Sequence, residues 1–182
     1  TLTTLFSVKR PSNEDLPRAE YHALLLLAST GMMLAVSAVD LLVLYLGLEL
    51  TPLCSYVLVG MRVERPLSNE AAMKYFLLAS FASAVFLYGI ALTYGFAGAT
   101  GFLTITAVIT GGGIENNATL LLATGLVTVG LAFKIAVVPF HTWAPDAYQG
   151  ASAPVAAFLA AGPKAAGLAA LGRVSMVAFG TE

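Results

Sequence analysis

Three ionisable side chains lie far inside apolar stretches of this sequence: Glu49, Lys134 and Lys164. A charge at bilayer depth costs roughly 2.5–3.5 kcal/mol on insertion scales, so such residues usually face a protein interior and mark ion or proton paths. Desolvation favours the neutral form of a lysine, and a nearby carboxylate favours the charged form. A Glu–Lys pair whose separation can change therefore has the chemistry to take up and release a proton.

The depths of the three residues favour this interpretation. Glu49 lies about nine residues into its apolar stretch, Lys134 about fifteen and Lys164 about ten, so a row of charges across a helix bundle is expected. Two structural explanations stay open: a static ion pair that joins helices, and a lysine whose ammonium reaches the membrane surface.

Each of these charges has a proline nearby: Pro52, Pro139 and Pro163. A proline inside a helix frees the carbonyl four residues back and kinks the helix, and irregular backbone at this depth is tolerated only inside protein or beside a water-filled cavity. The carbonyls freed in this way would be those of Leu48, Ile135 and Leu159. We therefore predict water beside the lysines. Proline is also simply more frequent in membrane helices than in soluble ones.

Two further residues are candidates for supporting roles. His141 follows Lys134 by seven residues, two helical turns on, and is either a proton relay or a cap of the broken helix end. Lys74, about one turn inside its span, either supports the electrostatics of Glu49 or reaches the interface. No histidine or acid accompanies His141 at metal-ligand spacing, so no metal site is expected.

Composition places these residues in a membrane protein. The chain has 182 residues, 58% hydrophobic and 10% charged, whereas a soluble domain carries about 25% charged residues. The net charge of −1 gives no reason to expect nucleic acid as a partner, and the single Cys54 excludes a disulfide framework.

The sequence predicts an all-α, polytopic transmembrane bundle of about five spans with proline-broken helices. We expect an extramembrane loop over 1–20 and a transmembrane domain over 21–180, with a flexible connector between the third and fourth spans and a polar corner between the fourth and fifth. Because the chain begins at Thr1 without a secretory signal, we expect a segment of a longer protein. The predicted spans are 21–39, 41–61, 71–96, 119–140 and 155–179.

Lysines and arginines predict the orientation of the bundle. With five crossings, the first loop, the loop 61–70 and the corner 141–154 share one side, which carries more positive charge than the other, where only Arg173 lies. The positive-inside rule places that side in the cytoplasm, matrix or stroma. The positive residues on it are Lys9, Arg10, Arg18, Arg62 and Arg65.

The stretch FKIAVVPFHTWAPDAYQGASAPV, residues 133–155, resembles the proton-conducting signature of the antiporter-like membrane subunits of respiratory complex I (NADH:quinone oxidoreductase), subunit N above all. LGLELTPL (46–53) and SNEAAMKYFLLAS (68–80) resemble the corresponding parts of the two preceding helices. The resemblance covers about residues 21–179, and the sequence departs from it at Gly162–Pro163.

The resemblance implies specific roles. Glu49 corresponds to the essential carboxylate, Lys134 to the lysine of the broken helix that pairs with it, and Lys164 to the connecting lysine, with Lys74 and His141 at supporting positions. It also implies a half of an inverted-repeat fold, and no cofactor in this chain: FMN and iron–sulfur clusters belong to partner subunits, and quinone is the substrate of the complex.

The resemblance further implies other membrane subunits of complex I and the lipid bilayer as partners. The expected location is the bacterial inner (plasma) membrane, with the mitochondrial inner or thylakoid membrane as the alternative. Two other functions stay open: a subunit of a multisubunit cation/proton antiporter or membrane-bound hydrogenase, and a scaffold in which the charges only lock helices together.

Overall fold

The computed structural model describes residues 18–111 and 118–180. Almost all of the predicted loop 1–20, and residues 112–117 of the predicted connector, lie outside this part of the chain. The described residues form α-helices and no strand, which confirms the all-α prediction. The helices are α1 (Arg18–Ser37), α2 (Leu41–Val59), α3 (Pro66–Ala97), α4 (Phe102–Thr110), α5 (Ala118–Lys134), α6 (Trp143–Gly150) and α7 (Ala153–Arg173), followed by a π-helix (Val174–Ala178).

Within the described ranges, four helical segments are long and apolar enough to cross a membrane: α1, α2, α3, and α7 continued by the π-helix. The predicted fourth span, 119–140, corresponds to the shorter apolar helix α5. Helix α1 packs along α2, and α3 packs along α5, with α7 lying against α1 and α5. Many large apolar side chains on these helices are exposed, as expected of helices that contact lipid or other membrane subunits.

The two predicted polar connections each contain a short helix. Helix α4 lies in the predicted flexible connector, and the Thr106 hydroxyl donates to the carbonyls of Val177 and Ala178 in the π-helix. Helix α6 occupies the predicted polar corner 141–154. Its buried side, which includes Trp143 and Ala147, packs against α3. Both helices are more regular than the sequence prediction because tertiary contacts order these connections.

One end of the bundle is closed by a clasp between two connections, Val39–Leu41 and Thr100–Phe102. The Leu41 amide donates to the Thr100 carbonyl at 2.9 Å, and the Phe102 amide donates to the Val39 carbonyl at 2.9 Å. Asp40 caps α2 by accepting from the amides of Leu42 and Val43, and its other carboxylate oxygen accepts from the Thr100 hydroxyl at 2.5 Å. We refer to these two connections as the Asp40 clasp.

Two apolar clusters fill the bundle, one toward each end. The cluster near the clasp includes Leu41, Phe102 and Leu131, and the cluster at the other end includes Tyr21, Trp143 and many small residues of α3. Neighbouring residues on α5 belong to different clusters, Leu131 to the first and Phe133 to the second. The end of α5 therefore lies where the two clusters meet, and this is the level at which the site is built.

Candidate functional site

Lys134 and Glu49 form a buried ion pair in the middle of the bundle. The Lys134 Nζ lies 2.7 Å from Glu49 Oε1, and the two side chains are only 8% and 19% exposed. Glu49 comes from the middle of α2, three residues before Pro52, and Lys134 is the last residue of α5. The geometry thus brings together two of the three mid-membrane charges, 85 residues apart in sequence.

The end of α5 differs from the predicted span, which continued to residue 140. The helix stops at Lys134, and Ala136 takes a left-handed conformation with φ of 57°. The Ala136 amide donates to the Phe133 carbonyl, and the Val137 amide donates to the Ala132 carbonyl, which is the Schellman arrangement that ends many helices. The chain leaves the helix ahead of Pro139 because a proline disfavours helical backbone at the residue before it.

This helix end matters for the lysine in two ways. A left-handed alanine costs roughly 1–2 kcal/mol relative to the right-handed form, and such strain persists where the surrounding structure enforces it, often at functional sites. The carbonyl end of a helix also carries partial negative charge, which favours a cation in the last turn. The position of Lys134 as the final residue of α5 therefore supports its positive charge independently of Glu49.

Ser83 is the third member of this site, and the sequence analysis did not identify it. Its hydroxyl donates to Glu49 Oε1 at 2.5 Å and accepts from the Lys134 Nζ at 3.3 Å. It lies buried on α3, one turn after Ala79 on the face that meets α5. A serine on a face of small buried residues was the only signal in the sequence, and it did not specify a partner.

Lys164 lies in a separate environment on α7. Its ammonium donates to the Tyr148 hydroxyl and lies 5.5 Å from the centre of the Trp143 ring and 4.8 Å from that of Tyr148. It makes neither a hydrogen bond nor an ion pair with Glu49 or Lys134. The three predicted residues are thus an ion pair and a neighbouring lysine held by aromatic groups.

Trp143 connects these two environments. The indole Nε1 donates to the Phe133 carbonyl at 3.0 Å, directly before Lys134, while the ring faces the Lys164 ammonium. The ring also stacks on Tyr75, with centroids 4.6 Å apart. Trp143 lies in the predicted polar corner 141–154, and the structure buries it between the two lysines.

A small cavity of about 20 Å³ adjoins the pair, which is room for roughly one water molecule. Its lining includes Lys134, Trp143, Pro163 and, on α2, Leu48 and Pro52. Pro52 has no amide hydrogen to donate to the Leu48 carbonyl, so α2 lacks one regular backbone hydrogen bond beside the cavity. The predicted combination of lysine, proline and open space is therefore present at this position.

The two residues predicted to support the site lie away from the pair. Lys74 is 47% exposed and forms ion pairs with Glu70 of α3 at 2.7 Å and Asp146 of α6 at 3.4 Å, and not with Glu49. The His141 side chain is exposed, and its carbonyl accepts from the Ala144 amide ahead of α6. Among residues 18–111 and 118–180, no group of three His, Cys, Asp or Glu side chains is arranged to hold a metal ion.

Relatives of known sequence share this segment. Subunit N 2 of the NADH-quinone oxidoreductase of Rhizobium meliloti (strain 1021) is 46% identical over 173 residues, which are 95% of this chain and 36% of the relative. The subunit N of Desulfitobacterium hafniense (strain DSM 10664 / DCB-2) is 50% identical over 156 residues, 86% of this chain and 31% of the relative. The chain thus spans about a third of the length of these relatives.

Solved structures share the fold. Respiratory complex I from Thermus thermophilus with bound aureothin contains a chain that is 41% identical with a TM-score of 0.76, covering 93% of this chain and 36% of that one. An archaeal membrane-bound sulfane sulfur reductase contains one that is 30% identical with a TM-score of 0.86, covering 98% and 36%. The Mrp complex from Dietzia sp. DQ12-45-1b also matches, at 30% identity with a TM-score of 0.76, covering 86% and 29%.

A match to a family model shows the family to which the chain belongs. The model of the transmembrane region of NADH:quinone oxidoreductase and Mrp antiporter proteins matches residues 38–182. That range contains Glu49, Ser83, Lys134 and Lys164. The chain therefore belongs to the NADH:quinone oxidoreductase/Mrp antiporter transmembrane family.

Proposed function

We propose that this segment is part of a proton-translocating subunit of NADH-quinone oxidoreductase, of the subunit N type. The observation that supports this most is the buried Lys134–Glu49 pair at a broken helix end beside a cavity. The relatives named subunit N are 46–50% identical to this chain, while the Mrp complex is 30% identical. The redox chemistry of such a complex takes place in other subunits.

In the proposed mechanism, Lys134 carries the proton and Glu49 controls when it is released. With the pair closed, the carboxylate and the helix end stabilise the ammonium. When the pair opens toward the cavity, the ammonium loses its carboxylate partner in a poorly solvated site, and the neutral amine becomes favoured. Lys164, across the Trp143 side of the cavity, is the next acceptor in this Glu–Lys–Lys route.

The remaining partners follow from the same proposal. The exposed apolar helices would contact lipid and the other membrane subunits of the complex, and the bacterial relatives point to the plasma membrane as the location. FMN, iron–sulfur clusters and quinone would be bound elsewhere in the complex.

The test uses the full-length subunit in its assembled complex. Lys134→Ala and Glu49→Ala should each lower NADH-driven proton uptake into inverted vesicles by about tenfold or more, because the first removes the proposed proton carrier and the second removes the carboxylate that controls it. Glu64→Ala, in the exposed loop after α2, is the matched control and should pump normally. Normal pumping in both site variants would contradict the proposal.

A second experiment distinguishes a proton carrier from a scaffold in which the charges only join helices. If the charges only join helices, the double variant Lys134→Met with Glu49→Met should be tolerated although each single change is not, since two apolar groups can replace a buried pair. A proton carrier predicts that the double variant assembles but does not pump.

Cation/proton antiport is the second candidate, and the similarity to the Mrp complex favours it. Replacing sodium by choline in the vesicle assay distinguishes the two. Pumping that continues unchanged without sodium supports the first proposal, and pumping that requires sodium supports antiport.

A further inference from the structure

Two donors converge on a single oxygen of Glu49. The Ser83 hydroxyl reaches Oε1 at 2.5 Å, and the Lys134 ammonium reaches the same atom at 2.7 Å. The hydroxyl and the ammonium are themselves 3.3 Å apart. Glu49 therefore has a second hydrogen-bond donor already in place beside the charged one.

The Ser83 hydroxyl differs from several other hydroxyls of these helices in its hydrogen-bond acceptor. Such hydroxyls commonly donate to the carbonyl four residues back, as Ser29, Ser55 and Thr93 do here. Ser83 donates across to another helix instead. If Ser83 only filled space between helices, we would expect its hydroxyl to donate to the carbonyl four residues back in its own helix.

The cavity beside the site borders the lysine. Its lining includes Lys134 but neither Glu49 nor Ser83. The long Lys134 side chain can approach this space and Trp143 by rotating about its own bonds, whereas the Ser83 hydroxyl donates to the Glu49 carboxylate from α3.

We propose that Ser83 is a positioning residue that holds the Glu49 carboxylate in place when Lys134 turns into the cavity. A buried carboxylate without a donor is costly, and a hydrogen bond to a charged group is stronger than one between neutral groups. The hydroxyl therefore lowers the free energy needed to separate the ion pair, and it returns Lys134 to the same oxygen afterwards. This inference rests on the proposed function, since it concerns opening of the same pair.

The first experiment compares Ser83→Ala, Ser83→Thr and Ser80→Ala in the full-length subunit within its assembled complex. Proton uptake per quinone reduced should fall about tenfold in Ser83→Ala, since the lost hydrogen bond corresponds to roughly that factor. Ser83→Thr keeps the hydroxyl and should retain most of the activity. Ser80 is exposed on the same helix, so Ser80→Ala should pump normally.

A second comparison separates positioning from packing. Glu49→Asp shortens the acid by one methylene and withdraws its oxygen from Ser83, so adding Ser83→Ala to it should cause less than a twofold further loss. A purely structural serine would cause the same loss in both backgrounds. Should Ser83→Ala fail to assemble, the near-isosteric Ser83→Cys, whose thiol is a weak donor, replaces it with the same expected loss.

Each outcome decides between the two proposals. If Lys134→Ala abolishes pumping while Ser83→Ala, or Ser83→Cys in its place, pumps as wild type, the inference about Ser83 is wrong and the proposed function stands. Failure of Ser83→Thr to restore pumping, or equal losses in both Glu49 backgrounds, also overturns it. If Lys134→Ala pumps normally, the proposed function itself fails.

Discussion

Lys134 and Lys164 have different kinds of partner. Lys134 contacts a carboxylate, whereas Lys164 is held by the hydroxyl and rings of neutral aromatic residues. A cation over an aromatic face gains about 0.5–2 kcal/mol, and the Tyr148 hydroxyl is an additional acceptor. The positive charge of Lys164 is thus compensated by dipoles and quadrupoles instead of an opposite charge, which is compatible with the role proposed for it above.

Tyr148→Phe tests this arrangement. The ring and its contact with the ammonium remain, but the hydrogen bond to a charged group is lost, so proton uptake in the full-length complex should fall by about tenfold. Tyr88→Phe, on an exposed position of α3, is the matched control and should have no effect. If the two variants pump equally well, Lys164 does not depend on Tyr148.

At the scale of single residues, the sequence predicted the charges and, through the resemblance, the pairing of Glu49 with Lys134, but not the neutral residues around them. Glu49 and Lys134 could be chosen because a charge in an apolar stretch is rare, and the structure pairs them. Ser83 and Trp143 could not be assigned roles in the same way, since hydroxyl and indole groups are unremarkable in membrane helices. Their functions depend on which atoms of distant helices face them, and sequence spacing within one helix carries no information about that.

At the scale of helices, Gly130 sets the distance between α3 and α5. A Cβ atom at Gly130 would lie 2.4 Å from the Cβ of Phe86, so the two helices could not keep their present spacing. Gly130 lies one turn before Lys134, and Phe86 three residues after Ser83. The close approach of the two helices therefore determines how near the lysine comes to the serine.

Gly130→Ala should lower both stability and pumping. Forcing an extra carbon into a packed interface costs about 1–3 kcal/mol, and the wider spacing should separate Lys134 from Ser83. Gly125→Ala on the same helix has open space around its Cβ and should preserve pumping, with a gain of roughly 0.4–1 kcal/mol in stability. Thermal unfolding of the purified full-length complex and the vesicle assay measure the two effects, and equal behaviour of the two variants would contradict this account.

The Asp40 clasp gives the bundle a pH dependence outside its membrane-spanning helices. Partial burial raises the pKa of Asp40, but hydrogen bonds from the Thr100 hydroxyl and the amides of Val43 and Leu42 more than offset this, so its pKa lies below the ordinary value of 3.8. A carboxyl with a lowered pKa stabilises the fold above its unfolded pKa and loses that contribution as the pH falls through the folded pKa.

Asp40→Asn should therefore lower the unfolding temperature at pH 7 while leaving it nearly unchanged at the acid end. Asparagine still caps a helix well but does not offer a charged acceptor to Thr100. The difference from wild type should stay constant from pH 7 to pH 5 and shrink below about pH 4. A difference that is the same at pH 3.5 and pH 7 would show that the charge of Asp40 is not involved.

The helices themselves were predicted from hydropathy, and their ends were not. The predicted fourth span ended at residue 140 because its apolar residues continue to that point, yet the backbone leaves the helix after Lys134. Hydrophobicity reports burial in lipid or protein and does not distinguish a helix from the irregular segment 135–142. For the same reason α4 and α6 could not be separated from the connections around them.

At the scale of the whole molecule, the chain has two distinct ends. The ion pair between Lys74 and Asp146 joins the beginning of α3 to α6 at one end, and the Asp40 clasp joins the connections at the other. The described arginines follow this division, with Arg18, Arg62 and Arg65 at the first end and Arg173 at the clasp end, where it donates to the Val36 carbonyl. The positive-inside rule therefore predicts that the first end faces the cytoplasm.

Cysteine labelling of full-length protein tests this orientation. A membrane-impermeant maleimide should modify Glu64→Cys only in inverted vesicles and Thr110→Cys only in right-side-out vesicles, since both positions are exposed and lie at opposite ends. The full-length protein without either substitution measures the background labelling, to which the buried Cys54 of this segment should contribute little. Labelling with the reverse sidedness would show that the charge bias does not set the topology.

The size of the cavity has a consequence for energy conservation. A membrane that stores a proton gradient must not leak, and an unbroken column of water beside the lysines would short-circuit it. A space that accommodates roughly one water molecule is too small to hold such a column. Under the proposed function, conduction would therefore require this space to enlarge briefly with each turnover.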